Sequence, residues 1–191
     1  MEATLTDAEL LQAVLAGDEE AFTALYRRRQ RAVYRFAYEM SGSAVVAEEV
    51  TQEVFLALMR DARRYDASRG TVATYLYGIA RHQVLRMLEK DRKMVSIDET
   101  DQAEPAAQED PLVELTRRER VELVRRAVLS LPANYREAVV LCDLHEMGYE
   151  EAAEALGCAV GTIRSRLHRG RALLVEKLSG LLGSPRERCT A

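Results

Sequence analysis

Residues 149–174 read YEEAAEALGCAVGTIRSRLHRGRALL, two helix-like runs separated by Gly157. Glycine tolerates positive φ, which suits the tight turn of a helix-turn-helix. In the first run Ala152, Ala153 and Leu156 share one side, and the small Ala153 allows a close helix crossing. In the second, Val160, Ile163, Leu167 and Leu174 recur at helical spacing toward a core, which turns Arg164, Ser165, His168 and Arg169 outward. Arg166 and Arg171 flank that face.

A helix of this kind fits the major groove of DNA. Arginine donates two hydrogen bonds to guanine, serine bonds a base edge or a phosphate, and the flanking Arg166 and Arg171 are placed for phosphates. Arginines on an amphipathic helix more often form a merely solvated face. Here four of them fall within residues 164–171 without one acid, in a chain of formal net charge -4. The helix-turn pattern upstream points independently to the same docking helix, so DNA binding is the favoured reading.

Composition limits what surrounds this unit. A chain of 191 residues, 48% hydrophobic and 30% charged, is long enough for one or two small globular domains. Without Trp, with three Phe and four Pro, and with long runs of Ala, Leu, Glu and Arg, it favours an all-α fold. Net acidity excludes non-specific coating of nucleic acid, so any contact must come from a clustered basic face. Neither a signal segment nor a run of eighteen apolar residues is present, so a cytoplasmic chain with no membrane insertion of its own is expected. Cys142, Cys158 and Cys189 are odd in number and widely spaced, which suggests neither a disulfide framework nor a zinc site. With three histidines, no second His after His145-Glu146, no Gly-x-Ser-x-Gly and no phosphate-binding glycine loop, no catalytic residue, metal or cofactor is expected.

The first half reads as consecutive amphipathic helices. Thr6 with Glu9 forms a capping-box signature, Gly17 closes that helix, and Asp18 caps the next. Phe22, Leu25, Arg29, Val33, Phe36 and Met40 then recur every three or four residues up to a break at Ser41-Gly42. Ser43 caps a third helix in which Ala47, Val50, Val54 and Leu58 share one face, while Glu48, Glu49, Gln52 and Glu53 look elsewhere. After the loop RRYDASRG, residues 63–70, a fourth helix runs from about Thr71 to Lys90 with Val72, Leu76, Ile79, Val84 and Leu88 on its buried side.

Residues 96–114 change character, with seven acids, no base and two prolines, and read as a flexible acidic linker. Helical runs follow at about 115–129, 133–145, 150–156 and 161–178. The expected organisation is therefore a domain over 1–95, the linker over 96–114, a second small helical domain over 115–183 and a flexible tail over 184–191.

Residues 149–174, with LSLPANYREAVVL just before them, closely resemble domain 4 of bacterial RNA polymerase sigma factors of the extracytoplasmic-function (ECF) group, part of the sigma-70 family. The stretch AEEVTQEVFLALMRDARRYDASRGTVATYLYGIARHQVLRMLEK, residues 47–90, is similar to domain 2 of the same family. The resemblance spans nearly the whole chain in the right order. It implies a dissociable subunit that binds RNA polymerase core and directs promoter-specific initiation in response to a stress or environmental signal, with an anti-sigma factor as a further partner.

By that resemblance, the helix matching Ala47–Arg60 docks on the clamp of the largest catalytic subunit through Glu48, Glu49, Gln52 and Glu53. The segment Tyr65–Glu89 captures the melted minus-ten element, with Arg69, Tyr75, Arg81, His82 and Arg86 as contacts. Arg164, Ser165, Arg166, His168, Arg169 and Arg171 face the minus-thirty-five element, and the linker occupies the path of template and nascent RNA. Two positions depart from the family's frequent residues: Tyr75 stands where Trp is common, and His82 where Asn is. Tyr75 and Tyr77 also suit core aromatics, and His82 a partly exposed polar side chain. The competing reading is a helix-turn-helix regulator acting alone on operator DNA.

Overall fold

In the computed structural model, which describes residues 5–95 and 117–181, eight α-helices and no strand are found among the described residues. The expected acidic linker and the tail from 184 lie outside the described residues. The first half comprises α1 (Asp7–Leu15), α2 (Glu19–Ser41), α3 (Ala44–Asp61) and α4 (Val72–Val95). The second comprises α5 (Arg117–Leu129), α6 (Ala133–Val139), α7 (Tyr149–Leu156) and α8 (Val160–Leu181).

Helix starts follow local chemistry. The first N–H groups of a helix lack partners inside it, and short polar side chains supply them. The Thr6 amide donates to Glu9 at 2.7 Å and the Glu9 amide to Thr6 Oγ1 at 3.3 Å, closing the anticipated capping box. The Asp18 carboxylate accepts from the Glu20 and Ala21 amides at 2.9 and 3.0 Å, and Ser43 Oγ accepts from the Val46 amide at 3.3 Å. Gly157 ends α7 in the left-handed conformation at φ 61°, as the helix-turn-helix requires.

Packing follows the apolar stripes. Leu25, Val33, Phe36 and Met40 of α2 are buried against Ala47, Val50, Val54 and Leu58 of α3 and Val72, Leu76 and Val84 of α4. In the second half Ile163 and Leu167 are buried, while Val160 and Leu174 are half-buried at the edge. α8 crosses α6 so closely at Gly170 that a Cβ there would come 2.9 Å from Val139 Cγ2, which makes glycine the residue this crossing accepts.

Two features differ from a plain sequence of helices in two separated domains. The run from 133 is α-helical only to Val139 and widens into a π-helical turn over Val140–Leu144, where the His145 amide reaches back to the Val140 carbonyl at 3.0 Å. The two halves also share one continuous hydrophobic core, with α2 and α4 packed against α5, the π turn and α7. Phe36 and Tyr77 of the first half meet edge to face at 5.4 Å, and His145 of the second lies edge-on to both rings.

Candidate nucleic-acid interface

The second helix of the helix-turn-helix presents the face that its spacing anticipated. Arg164, Ser165, His168 and Arg169 of α8 are all exposed. Ser165 Oγ donates to the Thr162 carbonyl at 2.9 Å, a back-bond within its own helix.

The flanking arginines are placed differently from a free phosphate-binding pair. Arg171 forms a two-point contact with Asp143, Nε to Oδ2 at 3.1 Å and Nη2 to Oδ1 at 2.5 Å, and hydrogen bonding to that carboxylate raises its pKa further. Arg166 turns inward, with Nη1 3.8 Å from Glu137 Oε2.

A second candidate surface surrounds the start of α4. Thr71 caps this helix, its Oγ1 accepting from the Thr74 amide at 3.1 Å. The preceding turn is held by Asp66, which accepts from Ser68 N and Oγ at 2.9 and 2.7 Å. These bonds shape a cavity of about 450 Å³ whose lining includes Arg64, Tyr65, Arg69, Tyr75 and His82. Tyr65 and Tyr75 have ring centroids 5.7 Å apart and tilted planes, and burial raises both phenol pKa values. Two aromatic faces with cations nearby make a stacking platform for an unpaired base.

The anticipated minus-ten residues are thus split. Tyr75, His82 and Arg69 reach the cavity, and Arg86 is exposed further along α4. Arg81 does not line it: its guanidinium is paired with Glu137, Nε to Oε1 at 2.7 Å. Tyr65 and Arg64 were not singled out from the sequence, although the RRY run that opens the loop carries them. Glu137 was also missed; its signal was an acid opening the buried run Ala138–Leu141.

On α3 the apolar stripe is buried, Glu48, Glu49 and Gln52 are exposed, and Glu53 is half-buried. The exposed face is less purely acidic than its sequence suggested. Val45, Leu56 and Met59, exposed by 73%, 48% and 59%, align with Glu49 and Gln52 at alternating steps of four and three. These large apolar side chains form a row on the solvent-facing side of α3.

No group of three metal-ligating side chains exists among the described residues, and no helix there is long and apolar enough to cross a membrane. Cys142 and Cys158 are free, and burial together with Asp143 pushes the Cys142 thiol up to about 11, so it is not a thiolate at neutral pH.

Comparison with known proteins matches residues 25–94 to Sigma-70 region 2 and residues 121–174 to Sigma-70, region 4. The chain is 37% identical over 170 residues to the ECF RNA polymerase sigma factor SigE of Mycolicibacterium smegmatis, a match covering 85% of this chain but only 65% of that protein. It is 35% identical over 182 residues to the ECF RNA polymerase sigma factor SigM of Mycobacterium tuberculosis, covering 92% and 86% of the two chains. Among solved structures it resembles the sigma factor RpoE in complex with the anti-sigma factor NepR from Bartonella quintana, at 25% identity and a TM-score of 0.67 over 83% of this chain and 96% of that one.

Proposed function

The chain belongs to the ECF group of sigma-70-family RNA polymerase sigma factors, and on that premise we propose how its own residues perform the group's task. It binds RNA polymerase core and directs promoter-specific initiation of transcription. The observation that supports this reading is that one chain carries both an exposed basic face on α8 of a helix-turn-helix and an aromatic cavity at the start of α4.

In this proposal domain 2, residues 1–95, docks on the clamp of core through Glu48, Glu49, Gln52 and Glu53, joined by Leu56 and Met59. Domain 4, residues 115–183, reads the minus-thirty-five element with Arg164, Ser165, His168 and Arg169, and Arg166 and Arg171 reach phosphates once their acidic partners release them. The segment 96–114 links the two. The cavity of Tyr65 and Tyr75 receives a minus-ten base against His82, with Arg69, Arg81 and Arg86 on the backbone. The family consists of regulators, and we assign no catalytic residue to this member. It acts in the cytoplasm, where its polymerase resides, and the likeness to a sigma factor solved with an anti-sigma factor supports an inhibitor of that kind as a partner.

His82 lines the cavity, at the position where the family resemblance implies Asn. An amide and an imidazole offer donors and acceptors at different positions, so His82→Asn should alter which minus-ten base is preferred by roughly 1 kcal/mol or more, the low end of a good base contact. Transcription with core polymerase from templates carrying each base at each minus-ten position measures this. An identical base profile for wild type and variant would remove His82 from base reading, and no promoter-dependent transcript from any template would contradict the proposed function.

A further inference from the structure

A second cavity lies between α2 and α5 and shares no lining residue with the α4 cavity or with the outward face of α8. It measures about 610 Å³, within the range of small-ligand sites. On α5, Arg117, Val121, Val124 and Val128 follow one another at steps of four, three and four, which puts them on one face of the helix. Arg117 is exposed, Val121 and Val124 are 52% and 40% exposed, and Val128 is buried. The groove therefore runs from a charged mouth to an apolar end, roughly 16 Å along the helix axis at the α-helical rise. Tyr38 of α2 and Leu144 of the π turn add further apolar lining.

Four arginines line this cavity, and two of them are committed. Arg35 pairs with Glu39 at 2.8 Å and donates to the Leu144 carbonyl at 2.7 Å. Arg125 donates to Glu122 at 2.7 Å and lies 4.8 Å over the Tyr38 ring. Arg117 and Arg120, both exposed, have no acidic partner among the described residues. Each keeps its planar fork of donors for an incoming anion, and a carboxylate meets such a fork with two parallel hydrogen bonds. Glu39 is the one acid among the described lining residues, and Arg35 and His145 already satisfy it at 2.8 and 2.9 Å. A wall that holds a carboxylate repels a polyanion more strongly than a single negative charge.

We propose that the α2–α5 cavity is a binding site for an amphipathic monoanion, a free carboxylate on an unbranched apolar chain. Arg117 and Arg120 hold the headgroup, and Val121, Val124 and Val128 follow the chain toward the buried end. Each methylene covered there leaves water together with the valine surface it meets, so affinity grows with chain length. A concave site encloses one chain, whereas a bilayer is met by a projecting apolar face. The inference does not depend on which surfaces of the protein read DNA.

The test titrates the full-length protein calorimetrically with dodecanoate below its micelle concentration, beside dodecanol, acetate and dodecyltrimethylammonium. Dodecanoate should bind saturably, one per chain, while dodecanol and acetate bind at least tenfold more weakly and the cation does not bind. Arg120→Gln should weaken dodecanoate by roughly tenfold or more, the loss of hydrogen bonds to a charged group. Val121→Glu, which places a like charge beside the headgroup at an exposed position, should abolish binding. Circular dichroism should show wild-type helicity for both. If Val121→Glu fails to fold, Arg117→Gln combined with Arg120→Gln takes its place with the same expected loss.

The absence of saturable dodecanoate binding by the wild type would overturn the proposal, as would equal affinity for dodecanol or an unchanged affinity in folded Arg120→Gln. Two further outcomes would overturn it by naming another occupant. Binding to phosphatidylglycerol vesicles without binding of free dodecanoate would assign the face to a membrane surface. A concentration-dependent dimer that Val121→Glu abolishes, again without dodecanoate binding, would assign it to a second copy of the chain.

Discussion

Replacing Gln52 by Lys and Leu56 by Asp together is expected to reduce the affinity of the chain for RNA polymerase core by about a hundredfold or more, close to 3 kcal/mol. Both side chains are exposed on α3, and Leu56 belongs to the row that runs from Val45 through Glu49 and Gln52 to Met59. An apolar residue held in water at 48% exposure contributes little to the fold but gains fully when a partner helix covers it. The stripe that does hold domain 2 together, Ala47, Val50, Val54 and Leu58, faces the other way and is untouched. The variant should therefore keep its helicity and melting temperature while losing assembly with core in a fluorescence titration. Undiminished assembly would return this face of α3 to a solvated surface.

On α8, Arg164→Ala and Arg169→Ala should each weaken binding of the holoenzyme to its minus-thirty-five element by roughly 1–3 kcal/mol, the value of a good bidentate base contact. The loss should be small on random duplex. Arg171→Ala should act more evenly across sequences, because a phosphate contact carries no base information. It also leaves Asp143 without its two-point partner, so its effect includes a change at the π turn. Equal losses on specific and random duplex for Arg169→Ala would show that it is not a base reader.

The parts of the molecule legible in the sequence are those fixed by local chemistry. Thr6 with Glu9, Asp18 and Ser43 announced three helix starts because a cap acts within three residues, and Gly157 announced the turn because it needs positive φ. The outward set Arg164, Ser165, His168 and Arg169 followed from the period of Val160, Ile163, Leu167 and Leu174.

What escaped depends on groups brought together from distant positions. The run VVLCDLHEM, residues 139–147, has no helix breaker, and the π turn over Val140–Leu144 forms where Arg35 holds the Leu144 carbonyl and Tyr77 and Glu39 hold His145, partners 68 to 109 residues away. Glu137 looked like an ordinary helical acid; its burial is a property of Arg81 and Arg166 closing over it. Arg81 and Arg166 were read as free for DNA because a sequence period gives a side chain's direction and not its counter-ion.

The central claim, that promoter recognition belongs to this chain in company with RNA polymerase core, is tested most directly by titrating one promoter duplex with the chain alone and with the chain plus core. The chain alone should bind weakly and with little preference between promoter and random sequence. With core present, the promoter should be bound at least a hundredfold more tightly than random duplex, within the range of specific recognition. Tight, sequence-specific binding by the chain alone as a dimer, unchanged by core, would contradict the account and identify a regulator acting by itself on operator DNA.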